Sequence, residues 1–219
     1  MSLLPVVGFT GPSIDWWALL PQVILLGAAL LILLVSALAP QRTSISFATA
    51  TTVCASVTAW IVAFGLWNDI KNEGPSASIA SALAIDGFSI FFTMLVLIAL
   101  TITALLAHSY LGREGIDPPE FHALLLCSAA GAIVMASAND LIVIFLGLEA
   151  LSIGLYVMIA MHARRPEARE AAMKYFVLGA FSSAFLLYGI ALTYGSTGST
   201  NLIHIRDYLN AVVFRDQHL

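Results

Sequence analysis

Two ionisable side chains lie inside long apolar stretches of this sequence, where the exchange of protons is the chemistry they are best suited to. Glu149 lies in the run from Leu141 to Met161, and no charged residue occurs in the eight positions before it. Lys174 lies in the next run, from Ala171 to Tyr194. A charged group near the centre of a membrane-spanning helix costs roughly 2.5–3.5 kcal/mol even on lenient insertion scales, so such groups usually face a partner or a wet cavity. We therefore interpret both residues as candidates for a proton pathway.

The two candidates fall on neighbouring antiparallel helices, but they differ in depth by about 10 Å if each residue adds about 1.5 Å of rise. A direct ion pair would need helix tilt or a shifted boundary, and a pair linked by water explains the spacing equally well. Desolvation favours the neutral forms of such groups whereas mutual attraction favours the charged forms, so a small change in separation can move a proton. The simpler alternative is a buried ion pair, or two separately satisfied polar groups, without any transport role.

Four further polar residues are possible accessory groups for the same chemistry. Ser152 and Tyr156 follow Glu149 by three and seven positions, which places all three on one face of a helix. His108 and His122 flank the connection after the third helix, where a histidine could shuttle protons near neutral pH. Ordinary interfacial histidines are the alternative reading of that pair.

Two other patterns around the fifth helix predict structure rather than chemistry. Gly147, Ala150 and Gly154 share one face of that helix, and small residues let a neighbouring helix approach closely. We therefore expect the helix to be packed on several sides. Asp86 and Asp140 precede the third and fifth helices, and a role in capping the free N–H groups explains both carboxylates.

The composition predicts an all-α fold, a polytopic transmembrane helix bundle. Hydrophobic residues make up 60% of the 219 positions and charged residues only 10%, against about 25% charged in soluble domains. Spanning helices need about 20 mostly apolar residues, and six runs meet that criterion. They are Trp16 to Ala39, Ile45 to Trp67, Phe88 to Leu111, Phe121 to Ala138, Leu141 to Met161 and Ala171 to Tyr194.

These runs divide the chain into an N-terminal segment (1–13), a transmembrane bundle (14–194) and a polar or amphipathic tail (195–219). For the tail, a helix lying on the membrane surface and a solvated terminus are both open. Basic residues in short connections favour the cytoplasmic side, which predicts that the N-terminus lies outside. The basic residues assigned to the inner side by this rule are Arg42, Arg113, Arg164, Arg165 and Arg169.

Several function classes find no support in the sequence. The net charge of −4 is spread over short connections without a basic block, so a nucleic-acid partner is not expected. Cys54 and Cys127 lie in apolar runs without a metal-ligand spacing, and nothing resembles a nucleotide loop, a haem motif or a zinc site. We therefore expect no metal, no cofactor and no redox centre in this chain itself.

Two sequence motifs resemble a known family. The pattern GLE-x-LS-x-x-LY runs from Gly147 to Tyr156, and the pattern EA-x-x-KY-x-x-x-G-x-x-SS runs from Glu170 to Ser183. Both are similar to subunit N of NADH-quinone oxidoreductase, respiratory complex I, and favour it over the related subunits L and M. The resemblance covers most of residues 14–201.

This resemblance implies an antiporter-like subunit in the membrane arm of a respiratory translocase of the bacterial inner membrane, multi-pass and surrounded by lipid. Such a subunit contributes to proton translocation coupled to electron transfer from NADH to quinone. NADH, flavin, iron–sulfur clusters and quinone are then expected on partner subunits, and the partners are other membrane-arm subunits. Glu149 matches the family's glutamate on the fifth helix, and Lys174 matches its lysine on the sixth.

Family members continue beyond the sixth helix with further buried lysines, so the resemblance implies the N-terminal portion of such a subunit. Two alternatives stay open at this point. One is a subunit of a multi-subunit cation/proton antiporter, which has no redox coupling. The other is a truncated subunit with a purely structural role in the membrane.

Overall fold

Six long helices and a shorter seventh make up most of the computed structural model, which describes residues 14–39, 44–79, 81–114, 119–162 and 165–213. The first six are long and apolar enough to cross a membrane, which confirms the predicted all-α polytopic bundle. The elements are α1 Trp16–Leu38, α2 Ile45–Glu73, β1 Ser76–Ser78, β2 Leu83–Ile85, α3 Gly87–Glu114, α4 Glu120–Ser137, α5 Leu141–Ala160, α6 Pro166–Thr197 and α7 Leu202–Val213. Residues 1–13, Arg42 and Arg164 lie outside the described ranges.

Helices α2 and α6 extend past the apolar runs that predicted them. α2 continues to Glu73, and α6 begins at Pro166, whose ring suits the first turn of a helix. α6 ends at Gly198, which adopts the left-handed conformation with φ of 73°. A helix of 32 residues is about 48 Å long, which exceeds the roughly 30 Å of hydrocarbon. The polar turns of α6 can therefore lie outside the apolar layer while the helix continues through it.

A short antiparallel hairpin, β1–β2, joins α2 to α3, and it was not predicted from the sequence. The carbonyl of Ser81 in its turn accepts hydrogen bonds from the side-chain amides of Asn139, at 2.8 Å, and Asn201, at 3.0 Å. Asn139 lies between α4 and α5, and Asn201 lies between α6 and α7. The hairpin thus fixes the ends of four helices relative to one another, and we call this the hairpin end of the bundle.

The core lies among the first four helices. α1 packs against α2 and α4, while α3 packs against α2 and α4. Alanines on these helices let the backbones approach, and large side chains fill the remaining space. The fully buried aliphatic side chains of this core are Leu25, Ile32, Leu97, Leu126 and Ile133.

α5 and α6 lie on one side of this core and are far more open than the sequence suggested. α5 packs between α4 and α6, but it buries only Gly147, Ser152 and Gly154, while α6 buries only Ala172 and Ile190. The expectation that α5 is packed on several sides is therefore wrong for the described chain. Two neighbours occupy two sides of α5, and its remaining apolar surface has no covering helix in that part of the chain.

Within the tail, Leu202–Val213 form the helix α7. Leu202, Ile203 and Leu209 are exposed on it, beside charged residues such as Asp207. An exposed apolar stripe next to a polar one is the arrangement that a helix at a membrane surface uses.

Candidate functional site

A glycine contact between α4 and α5 sets the position of Glu149. Gly147 and Gly154 are buried on α5, where Gly131 of α4 lies against Gly147 and Ser128 of α4 lies against Gly154. A Cβ atom on Gly147 would lie 2.8 Å from the backbone nitrogen of Met135, which is closer than real Cβ atoms approach. The predicted close approach is confirmed at Gly147 and Gly154, whereas Ala150 stays exposed.

The start of α5 is also fixed by its capping residue. One carboxylate oxygen of Asp140 accepts a hydrogen bond from the backbone N–H of Ile142 at 2.8 Å, and the other accepts one from the hydroxyl of Thr200 at 2.7 Å. At the start of α3, Asp86 accepts from the N–H of Ser89 at 2.8 Å. The predicted capping role of both aspartates is confirmed, and neither carboxylate needs a catalytic explanation.

Glu149 lies half-buried on the side of α5 that faces α6. The hydroxyl of Ser183 on α6 donates a hydrogen bond to the Oε1 atom of Glu149. Hydrogen bonds to ionised groups are shorter and stronger than neutral ones, so this contact is a substantial link between the two helices. Sequence reasoning did not single out Ser183, although the adjacent serines Ser182 and Ser183 in an otherwise apolar run were a signal.

Tyr156 extends the same contact about two turns further along α5. Its ring packs edge-to-face against Tyr175 and Phe176, with centroid distances of 5.0 and 5.6 Å. Its hydroxyl lies so close to Gly179 that a Cβ atom there would collide with it. We call the contact formed by Glu149, Ser183, Tyr156 and Gly179 the α5–α6 seam. Ser152, the other accessory candidate on α5, is buried.

Lys174 does not belong to this seam. Its ammonium lies 2.6 Å from a carboxylate oxygen of Glu170, one turn away on α6, and both side chains are largely exposed, at 72% and 65%. Nine residues separate Lys174 from Ser183. That spacing is about 2.5 turns and about 13 Å of rise, so the two residues lie on opposite faces of α6. Of the arrangements left open by the sequence, a direct ion pair between Glu149 and Lys174 is therefore not formed.

The two histidines meet at the end of the bundle away from the hairpin. The hydroxyl oxygen of Thr49 on α2 lies 3.2 Å from Nδ1 of His108 on α3 and 3.0 Å from Nε2 of His122 on α4. Thr49 and His122 are buried, and His108 is half-buried. The structure thus places His108 and His122 next to one shared hydroxyl, an arrangement that was not predicted from the sequence. It does so through Thr49, whose position in a hydroxyl-rich stretch of α2 was its only signal.

No cluster of three or more His, Cys, Asp or Glu side chains that could hold a metal occurs within the described ranges. Cys54 is exposed and Cys127 is half-buried, and both are free thiols.

Comparisons with known proteins agree on one family. Residues 138–217, which include α5 and α6, match the family described as NADH:quinone oxidoreductase/Mrp antiporter, TM. NADH-quinone oxidoreductase subunit N 2 of Koribacter versatilis is 34% identical over 200 residues, covering 90% of this chain and 40% of the relative. Subunit N of Leptospira biflexa is 38% identical over 196 residues, covering 90% and 40%. The chain thus spans about two fifths of the length of these relatives.

Two solved respiratory assemblies contain chains of the same fold. One is respiratory complex I from Thermus thermophilus with bound aureothin, whose matching chain is 32% identical with a TM-score of 0.69, covering 83% of this chain and 38% of that chain. The other is the membrane-bound sulfane sulfur reductase, an archaeal respiratory membrane complex, at 25% identity and a TM-score of 0.74, covering 87% and 39%. The bundle described above therefore resembles part of one chain in each of these two respiratory membrane complexes.

Proposed function

We propose that this chain, which is similar to NADH-quinone oxidoreductase subunit N along about two fifths of that subunit's length, serves in the membrane arm of a proton-pumping NADH:quinone oxidoreductase. In this proposal, the chain contributes to proton translocation in a bacterial inner membrane. NADH, flavin, iron–sulfur clusters and quinone act on partner subunits. The complete enzyme is a respiratory translocase.

The observation that carries the proposal is the Glu149–Ser183 contact inside two apolar spans. A carboxylate accepts hydrogen bonds only, whereas a carboxylic acid can also donate one, and a serine hydroxyl can do both. Ser183 can therefore serve Glu149 in either protonation state by rotating its O–H. A group that must take up and release protons without leaving its place needs a partner of this kind.

Lys174 takes a different place in the same pathway. Its side chain projects from the face of α6 opposite the seam, where its partner in the described chain is the exposed Glu170. We infer that Lys174 exchanges protons with groups that cover this open face in the assembled membrane arm. Glu149, bound by Ser183, and Lys174 then act at two levels of α6, because Ser183 and Lys174 are about 13 Å apart along that helix, and not as one ion pair.

The proposed orientation puts the N-terminus and the hairpin end outside. Among the described basic residues, Arg113, Arg165 and Arg169 then lie on the cytoplasmic side, as the distribution of positive charge favours. Arg165 also pairs with Glu114 at 2.7 Å, which ties α3 to the connection before α6 on that side. In this orientation, the histidine end of the bundle faces the cytoplasm.

Purification of the tagged chain from its native membranes in a mild detergent tests the proposal. The expected assembly contains flavin and iron–sulfur subunits and oxidises NADH with a quinone acceptor. A stable assembly of membrane subunits alone would overturn it and support the second candidate, a multi-subunit cation/proton antiporter. The family description, which names both kinds of complex, is the observation that favours this second candidate.

A further inference from the structure

The hydroxyl of Thr49 lies between two imidazole rings that come from two different helices. The oxygen is 3.2 Å from Nδ1 of His108 and 3.0 Å from Nε2 of His122, so both rings are within hydrogen-bonding distance. We propose that Thr49 relays protons between His108 and His122, and that this histidine relay is a proton-uptake site separate from the α5–α6 seam. The role in uptake rests on the proposed function.

The single proton on the hydroxyl requires that one ring donates to Thr49 and the other accepts from it. A threonine hydroxyl carries one proton and two acceptor lone pairs, so it can donate to one ring only. If both rings bond to it, the other ring must donate its own N–H to the oxygen. The three groups then form an ordered chain, N–H to O–H to N, along which a proton can be passed.

The transfer step is balanced within these three side chains. When His108 is the protonated ring, its Nδ1–H donates to Thr49 and the Thr49 hydroxyl donates to Nε2 of His122. The Nδ1–H bond and the original O–H bond break, while a new O–H bond and an Nε2–H bond form. Thr49 regains one proton, and the positive charge moves from His108 to His122.

Burial shows what the relay connects. His108 is half-buried, whereas His122 is 1% exposed and Thr49 is 7% exposed. A proton passed from His108 to His122 therefore moves from the accessible edge of the bundle to a site between helices. Histidine is suited to this step because its ordinary pKa lies near neutrality.

Buried hydroxyls continue along α2 from this point. Thr52 and Ser56 follow Thr49 by three and seven positions, so they share its face of the helix, and both are fully buried. The Ser56 hydroxyl lies 2.8 Å from that of Thr101 on α3, about 10 Å deeper than Thr49. The interior of the bundle beyond the relay therefore contains further hydroxyl groups and not only apolar side chains.

The other ionisable side chains described at this end are exposed or partly exposed. Glu114 and Arg165 pair with each other, and the Arg113 side chain donates to the carbonyl of Ser109. The remaining members of the set are Tyr110, Glu120, His162, Glu167, Arg169 and Glu170. They are not part of the proposed relay, but a titration of His108 and His122 must account for them.

The first test observes the histidines directly. The full chain, with ¹⁵N-labelled histidine, is placed in lipid nanodiscs as wild type and as Thr49→Val, Thr49→Ser and Thr58→Val. Thr58 is the matched control because it is exposed on the same helix and donates to the carbonyl of Cys54 at 2.7 Å. We expect the ¹⁵N shifts of His108 Nδ1 and His122 Nε2 to move in Thr49→Val and to stay in place in Thr49→Ser and Thr58→Val. Unchanged shifts in Thr49→Val would overturn the relay.

The second test measures proton uptake by vesicles that carry the whole complex with each variant. Positioned proton-transfer groups typically contribute roughly 10²–10⁴-fold, and water can replace part of the lost hydroxyl, so we expect Thr49→Val to lower uptake about tenfold. Thr49→Ser should retain most of it. If the wild type pumps and Thr49→Val pumps equally well, the uptake role is wrong. If the wild type itself does not pump or lacks redox subunits, the proposed function fails instead.

Discussion

The hydroxyl of Ser183 on α6 donates a hydrogen bond to the carboxylate of Glu149 on α5. The same helix presents Lys174 on its opposite face, paired with Glu170. α6 therefore has two polar faces with different partners: one closes against α5, and the other is open in the described chain. In the proposed function, protons therefore pass around or along α6 rather than across a single ion pair.

Replacement of Ser183 by alanine should impair proton pumping. Hydrogen bonds to charged groups contribute about 1.5–3 kcal/mol, so the loss of this donor should weaken the contact that positions Glu149 against α6 and lower pumping by about tenfold. The measurement is proton pumping by vesicles with equal amounts of assembled complex. Ser182→Ala is the control, because Ser182 is the exposed neighbour and should have little effect. Equal pumping by both variants would show that the seam hydroxyl is dispensable.

Lys174 should tolerate neither alanine nor arginine in the assembled complex. Alanine removes the ammonium, and arginine keeps the charge but does not readily give up its proton. We expect both variants to lower pumping more than they lower subunit content. Glu170→Gln removes the partner in an exposed pair, which is worth about 0–1 kcal/mol, and should leave assembly unchanged. Full pumping with arginine at position 174 would mean that the lysine does not titrate.

Alanine at Gly147 should loosen the contact between α4 and α5. The new methyl group would lie 2.8 Å from the backbone nitrogen of Met135, and overpacking of this kind costs about 1–3 kcal/mol. The apparent melting temperature of the purified chain should fall. Gly189→Ala on α6 is the matched control, because its added methyl group meets nothing within 4 Å. It should leave the melting temperature unchanged or slightly higher, since alanine favours helix by about 1 kcal/mol.

Cysteine labelling should reveal the orientation of the bundle. In a background without Cys54 and Cys127, Glu167→Cys near Arg165 should react with an impermeant reagent only from the cytoplasmic side. Glu73→Cys near Lys71 should react only from outside. Both native positions are exposed, so access by the reagent depends on the side of the membrane and not on burial. Opposite labelling would reverse the proposed orientation and place the histidine relay outside.

The fold was largely predictable because hydropathy and length decide which segments can cross a membrane. All six spans coincide with apolar runs, and α5 begins at Leu141 as predicted. The hairpin was not predictable, since its two strands have only three residues each and depend on long-range hydrogen bonds to Asn139 and Asn201. The ends of α2 and α6 were also missed, because a helix can continue into water beyond its apolar run.

The sequence identified the candidate residues of the site, but it did not identify the side chains that they contact. Glu149 was identified because no other charged residue lies near it in its apolar run. The estimated depths of Glu149 and Lys174 in the membrane did not decide whether the two residues form an ion pair. The face that α6 turns toward α5 decides the partner, and that face depends on the packing of Tyr156 against Gly179. Thr49 was missed for the same reason, because the sequence does not show that α2 packs next to His108 and His122.

Proton pumping by the Glu149→Gln variant tests the central claim most directly. Glutamine keeps the shape of the side chain and an acceptor for Ser183, but it cannot titrate. In vesicles checked for normal subunit content, we expect Glu149→Gln to lower both pumping and the coupled NADH oxidation, while Glu149→Asp retains part of each. Nearly intact pumping by Glu149→Gln in a normally assembled complex would contradict the account and leave Glu149 with a structural role alone.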